Sequence, residues 1–124
     1  MPAESEKVVA DFCKCWERRN LDEIMAFFTD DAVYHNIPMK PAVGKASINE
    51  AIAGLLKGVK SIEFKILHTA TAGHVVMNER VDSFEANGKK VALPVMGVFE
   101  LTADGKIKGW RDYFDLEMYM KQLR

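Results

Sequence analysis

The chain has 124 residues, the length of one ordinary domain, and 48 % of them are hydrophobic, enough to build a real core. Its 17 basic and 18 acidic residues leave a formal charge of −1, and no stretch concentrates basic charge. That argues against nucleic acid or an anionic membrane as a partner and favours a neutral or weakly polar ligand.

No apolar run reaches the roughly 18 residues of a membrane span, and the acidic, polar start Met1-Pro2-Ala3-Glu4-Ser5-Glu6 does not read as a signal peptide. A first helix is expected over 5–19, with Ser5 as its cap and Val8, Val9, Phe12, Cys13, Cys15 and Trp16 at helical spacing. Cys13 and Cys15 lie two apart on it, so they point in different directions and do not bridge. They read as reduced thiols of a cytoplasmic protein, one of them in the core. Asn20 caps a second helix bearing Leu21, Ile24, Met25, Phe27 and Phe28, which Asp30-Asp31 breaks. A short strand is expected over 32–36 and a loop over 37–44, which holds Pro38, Pro41 and Gly44. Ser47 and Glu50 have capping-box spacing for a third helix with Ile48, Ile52 and Leu55 on its apolar face.

From Ser61 the apolar period changes to two, with Ile62, Phe64 and Ile66 on one face. A turn near Ala72-Gly73 leads to a strand over 74–85, and Asn87-Gly88 signals a hairpin. The next strand spans 89–101, where Pro94 and Gly97 suggest a bend or bulge. Asp104-Gly105 turns into a last strand over 106–115, followed by a short amphipathic helix with Leu116, Met120 and Leu123. Helices first and strands second indicate an α+β class, as a single domain over 1–124. A strongly curved sheet with three helices on its concave side forms a cone, and a small-molecule site fits between sheet and helices.

Three segments then stand out: Tyr34-His35-Asn36, Arg80-Val81-Asp82 and Trp110-Arg111-Asp112. Residues two apart on a strand share a face, so Tyr34, Asn36, Arg80, Asp82 and Asp112 can enter one pocket. Such a group is costly to bury without a use. A guanidinium has five donors and can hold both carboxylates, leaving the cluster at −1, or neutral with one added proton. Burial and the second carboxylate both favour keeping that proton, which pairs an acid with a base. Opening a strained ring needs this pairing, because water must lose a proton while the departing oxygen gains one.

Those segments, with Trp110-Arg111-Asp112-Tyr113-Phe114-Asp115, resemble the limonene-1,2-epoxide hydrolase family of the NTF2-like, cone-shaped α+β superfamily. The resemblance implies one-step hydrolysis of a small or medium apolar epoxide, with no metal or organic cofactor and no covalent intermediate. It implies Asp112 as general base, Tyr34 and Asn36 as holders of the water, Asp82 as general acid and Arg80 as the bridge. It also implies a homodimer.

Phe84 and Phe114 each follow an acid by two residues on the same face and read as pocket walls. Leu93, Met25 and Trp110 are further candidates for the wall, with a core role the default for Met25 and the favoured one for Trp110. Arg111 and Asp115 belong on the opposite, outer face. His35 points opposite to Tyr34 and Asn36, and His68 and His74 flank a turn and lack metal-ligand spacing. Two other readings stay open: an isomerase or dehydratase resembling the ketosteroid isomerases, and a non-catalytic ligand-binding module.

Overall fold

The computed structural model describes residues 2–124. Helix α1 (Pro2–Cys15) runs into a single 3-10 turn at Trp16–Arg18, followed by α2 (Leu21–Met25), β1 (Phe28–Asn36), β2 (Ala42–Val43) and α3 (Lys45–Leu56). Then come β3 (Val59–Ala72), β4 (Val75–Ala86), β5 (Lys89–Leu101), β6 (Ile107–Tyr113) and α4 (Leu116–Leu123). The six strands form one sheet in the order β2-β1-β6-β5-β4-β3. Only β1 and β6 run parallel; every other pair is antiparallel. The sheet curls around the first three helices, with α1 on β3 and β4 and α3 on β1 and β2, while α4 lies along β5. This is the expected mixed α+β cone.

Phe12 organises the core from the middle of α1. Its ring meets Trp16, Phe27, Phe28, Phe99 and Trp110 edge-on, with centroids 5.0–6.1 Å away. Edge-to-face pairs of this kind add to the burial of apolar area. A second, smaller cluster of Val91, Leu93 and Val95 packs with Phe84, Phe114 and Tyr119 from α4. Gln122 of α4 docks on β5 as a strand would, accepting from Ala92 N at 2.9 Å and donating to Ala92 O at 3.0 Å. Backbone groups of alternate residues point to the same side of a strand, so the N–H that Pro94 lacks would have pointed past the end of β6, where no strand pairs with β5.

Several local expectations are corrected. Helix α1 begins before Ser5, which sits buried inside it rather than capping it. Helix α3 begins at Lys45, and Ser47 lies within it; Gly44, at φ 90°, turns the chain into the helix while its N–H reaches Ala32 O at 2.8 Å. Helix α2 stops at Met25, and Phe28 opens β1 because it pairs with Ile107 of β6. The long-range pairing overrides the helical spacing, and Asp30 and Asp31 become exposed strand residues. The expected loop over 37–44 holds the two-residue strand β2. Gly97 and Pro94 mark no bulge, since β4 and β5 stay in one register from Val75↔Glu100 to Ala86↔Lys89. Both cysteines are free and both are buried.

Other local signals match. Asn20 caps α2, its Oδ1 accepting from Glu23 N at 3.1 Å. Asn87 and Gly88, at φ 54° and 77°, form the two-residue turn that their sequence signals. Arg111 pairs with Glu100 on the outer face as expected, but Asp115 is not a strand residue: β6 ends at Tyr113, and Asp115 caps α4 by accepting from Met118 N at 2.9 Å.

Candidate active site

The inward faces of four strands build the site. Pairing aligns two rows across the sheet. Tyr34, Trp110, Phe99 and Val76 form one, and Asn36, Asp112, Gly97 and Asn78 form the next. Arg80 and Asp82 follow Asn78 along β4, opposite Val95 and Leu93. The two acids therefore stand on β4 and β6, with β5 between them. Two strand spacings come to about 10 Å, too far for one carboxylate to reach the other.

Arg80 closes that gap. Its Nε and Nη2 donate to the two oxygens of Asp82 at 2.9 and 2.8 Å, a fork-like pairing. The same Nη2 donates to Asp112 Oδ2 at 2.8 Å, and Nη1 donates to Asn78 Oδ1 at 2.9 Å. The guanidinium is wholly buried, flanked by the rings of Phe64 and Phe99 at 5.1 and 5.9 Å. It passes directly over Gly97. A Cβ at that position would collide with Arg80 Nη1 and stand 2.8 Å from Asp112 Oδ1 and 3.0 Å from Asn78 Oδ1. The glycine is thus a gap in β5 through which the side chain reaches β6.

Asn78 holds the other end of the network. Its oxygen accepts from Arg80, and its amide nitrogen donates to Cys13 Sγ at 3.8 Å. Burial pushes the Cys13 thiol up to about 12, so it stays protonated and serves as a weak acceptor.

Asp112 receives a second donor from the side: Trp110 Nε1 meets its Oδ1 at 2.7 Å. Trp110 is wholly buried and stacks on Tyr34 at 4.2 Å and on Phe99 at 5.4 Å. Tyr34 and Asn36 pair with each other, Asn36 Nδ2 donating to the Tyr34 hydroxyl at 3.1 Å. Because Asn36 is the register partner of Asp112 on the parallel strand, this pair sits beside Asp112 rather than beside Asp82.

The electrostatics follow from burial. Burial raises the Asp112 carboxyl above its ordinary value; the charge and hydrogen bonds of Arg80 pull it back, the Asp82 charge raises it further, and the Trp110 N–H opposes the rise. Burial works against the charge of Arg80, but Asp112 and Asp82 outweigh it and hold the guanidinium ionised. Burial and the Asp112 charge push the Tyr34 hydroxyl up, so it is a neutral donor.

A pocket of about 120 Å³ opens beside the cluster, between the main core and the smaller one. Asp82, Asp112, Tyr34 and Asn36 line it together with Phe84, Phe114 and Leu93, all of which the sequence places in the site. Three expectations differ. Arg80 lies behind the two acids, not in the pocket wall. Trp110 lies under Tyr34 and reaches the site only through Asp112. Met25, on α2, is packed into the main core and does not line the pocket. Sequence reasoning missed Asn78 and Gly97 in the network, and Trp16, Phe64 and Tyr119 in the wall. Asn78 shares the face of Arg80 by period two, and Gly97 is a glycine inside an apolar strand, so both carried a signal.

Replacing Gly97 with Ala forces the guanidinium off Asp112 and leaves a buried carboxylate without its charge partner. The expected loss of stability is about 3–5 kcal/mol by urea unfolding. A loss below about 1 kcal/mol would show that β5 is not the gap described.

Residues 3–124 match the model of the limonene-1,2-epoxide hydrolase catalytic domain. The chain is 32 % identical over 117 residues to the epoxide hydrolase EphG of Mycobacterium tuberculosis, covering 94 % of this chain and 77 % of that protein. Among solved structures, an M. tuberculosis epoxide hydrolase similar to the limonene-1,2-epoxide hydrolases superposes with a TM-score of 0.86 at 30 % identity, over 98 % of this chain and 90 % of that one. The epoxide hydrolase/cyclase-like enzyme SalBIII, which acts in pyran ring formation, superposes at 0.83 with 19 % identity, over 92 % of each chain, and shows the shared NTF2-like fold alone. Fold, domain match and identity agree, and the chain belongs to the limonene-1,2-epoxide hydrolase family.

Proposed function

We propose that this chain hydrolyses a small or medium apolar epoxide to a vicinal diol in one step, by paired general acid and base catalysis and without metal or organic cofactor. Membership of the family supports epoxide hydrolase activity. The observation that carries the finer reading is Arg80 between Asp82 and Asp112, with the Tyr34–Asn36 pair at Asp112 only.

In this reading a water molecule sits among Tyr34, Asn36 and Asp112. Asp112 takes its proton as the oxygen attacks an epoxide carbon, and the C–O bond to the ring oxygen breaks. Asp82 gives its proton to that oxygen. The cluster begins with one proton on Asp82 and ends with one on Asp112, so its total charge never changes. A buried, largely apolar site favours such a step, because it asks for no new charge. The raised affinity of Asp112 for a proton makes it a stronger base than an ordinary aspartate when ionised.

An isomerase of the ketosteroid type also uses an aspartate base, but it needs neutral donors at a developing enolate. The permanent charge of Arg80, bridging both acids, fits that role poorly. The family resemblance further implies a homodimer, and the exposed register partners Met96 and Tyr113 on the outer sheet face support it. Sedimentation velocity should then show a dimer of the 14.0 kDa chain; a monomer at micromolar concentration contradicts this part of the reading.

Asp82→Asn and Asp112→Asn should each lower turnover of a terminal alkyl epoxide by about 10²–10⁴-fold while circular dichroism stays native. Near wild-type activity in either variant means the roles are wrong. The pH dependence has a fixed sign. Asp112 binds its proton more tightly folded than unfolded, so its contribution to stability is full below its ordinary value of about 3.9 and is lost as pH rises through its raised folded value. Measured against Asp112→Asn, wild-type stability should therefore fall as pH rises across that window, and the acid limb of kcat/KM should stand above about 3.9. A stability difference that grows with pH contradicts the assignment.

A further inference from the structure

Arg80 is held on all three of its guanidinium nitrogens, and one of those holds does not come from an acid. Nε and Nη2 take the two oxygens of Asp82, and Nη2 also takes Asp112. Nη1 lies over Gly97, where β5 offers no side chain to pack beneath it. Its partner is Asn78 Oδ1, which accepts from it at 2.9 Å. Asn78 shares a row of the sheet with Gly97 and Asp112, so it stands across the gap from Asp112. The amide has to turn its oxygen to Arg80, because a guanidinium has donors and no acceptor. Its nitrogen then faces α1, where Cys13 Sγ accepts from it at 3.8 Å. Asn78 and Cys13 are each 1 % exposed, so bulk water does not set the orientation of the amide.

We propose that Asn78 is a positioning residue: backed by Cys13, it fixes the roll of the Arg80 guanidinium so that Nη2 spans both acids. Its effect on turnover rests on the hydrolase reading; its hold on Arg80 does not. The Asp82 fork does not suffice for this. Arg80 and Asp82 are neighbours on one face of β4, so the two can swing as a unit, and Asp82 is the more exposed of the acids. Asn78 lies on the other side of Arg80 along the same face and supplies the opposing contact. Held from both sides, the guanidinium is aimed across Gly97 at Asp112. The ionisable groups around it are Asp82 beside it on β4, Asp112 on β6, Cys13 on α1 and Tyr34 on β1. Burial keeps the Cys13 thiol and the Tyr34 hydroxyl protonated, and the Asn78 amide does not titrate. The charge of Arg80 is therefore shared by the two acids alone. If Arg80 rolls away, Asp112 loses part of the charge that holds its carboxyl down, and its affinity for a proton rises.

Asn78→Leu removes the acceptor at similar size, and the acid limb of kcat/KM for 1,2-epoxyoctane reports the base. That limb should move up by about 1 pH unit, with kcat lowered about 10–100-fold and KM changed less than about threefold. General loosening of the core would not move the limb. Cys13→Ala should shift it in the same direction, and Cys13→Ser, which keeps an acceptor, should restore it. A second readout needs no substrate. The Trp110 indole donates to Asp112 Oδ1 at 2.7 Å, so its ¹⁵N–¹H signal follows the Asp112 proton, and its titration midpoint should rise with the limb. If no epoxide turns over but the midpoint rises in Asn78→Leu and Cys13→Ala and not in Cys13→Ser, the hydrolase reading fails and the positioning role stands. An unmoved midpoint in folded Asn78→Leu overturns the proposal, as does a Cys13→Ser variant that shifts as far as Cys13→Ala. Should Asn78→Leu not fold, the Cys13 pair decides: a midpoint raised in Cys13→Ala alone supports the role, and one unmoved in both variants overturns it.

Discussion

The whole site depends on one side chain crossing a strand. Arg80 starts on β4 and ends on β6, and it can do so only because β5 presents Gly97 beneath the guanidinium. Its charge lets two acids face one site, since it is Arg80 that opposes the rise burial imposes on Asp112. The remaining contacts fix the geometry. Asn78 holds one amino group of the fork, the rings of Phe64 and Phe99 flank it, and the Trp110 indole fixes the far oxygen of Asp112. The aromatic core around Phe12 serves this arrangement too, because it carries Trp110, on which Tyr34 stacks.

This constraint shapes the chemistry the site can perform. Both oxygens of Asp112 accept hydrogen bonds, one from Arg80 and one from Trp110. A carboxylate so engaged is a poor nucleophile towards carbon but still has lone pairs for a water proton. The Tyr34–Asn36 pair beside it supplies a donor and acceptor set suited to holding that water. Asp82, on the opposite side of β5 and facing the pocket, is the acid nearer an incoming ring oxygen in the proposed step. In the proposed step Arg80 holds the acid and the base apart in space while its charge acts on both.

Much of this was legible in the residues because a strand's period of two is strict. Tyr34 with Asn36, Arg80 with Asp82, and Asp112 each share a face without any knowledge of the fold. The Asn87-Gly88 turn and the Asn20 cap are equally local signals. The parallel pairing of β1 with β6 leaves no local mark, yet it sets Asn36 beside Asp112 and pulls Phe28 out of the expected helix. Gly97 reads as a possible bulge until the register shows an unbroken ladder with β4; only then is its missing side chain seen as room for Arg80. Met25 and Trp110 are apolar residues of the right kind, and nothing in their spacing separates a core position from a pocket wall. Trp16 shows the same limit from the other side, since only the packed structure reveals a buried donor with no acceptor among the described residues.

In the proposed step water, not a carboxylate, attacks carbon. A single turnover with excess enzyme in ¹⁸O-labelled water tests this directly. The diol from the first turnover should carry one labelled oxygen, and Asp82 and Asp112 should remain unlabelled. Unlabelled first-turnover diol, with label entering either carboxyl as it is released, would mean that an aspartate forms a covalent ester, and the Arg80-bridged acid and base would not be the catalytic device.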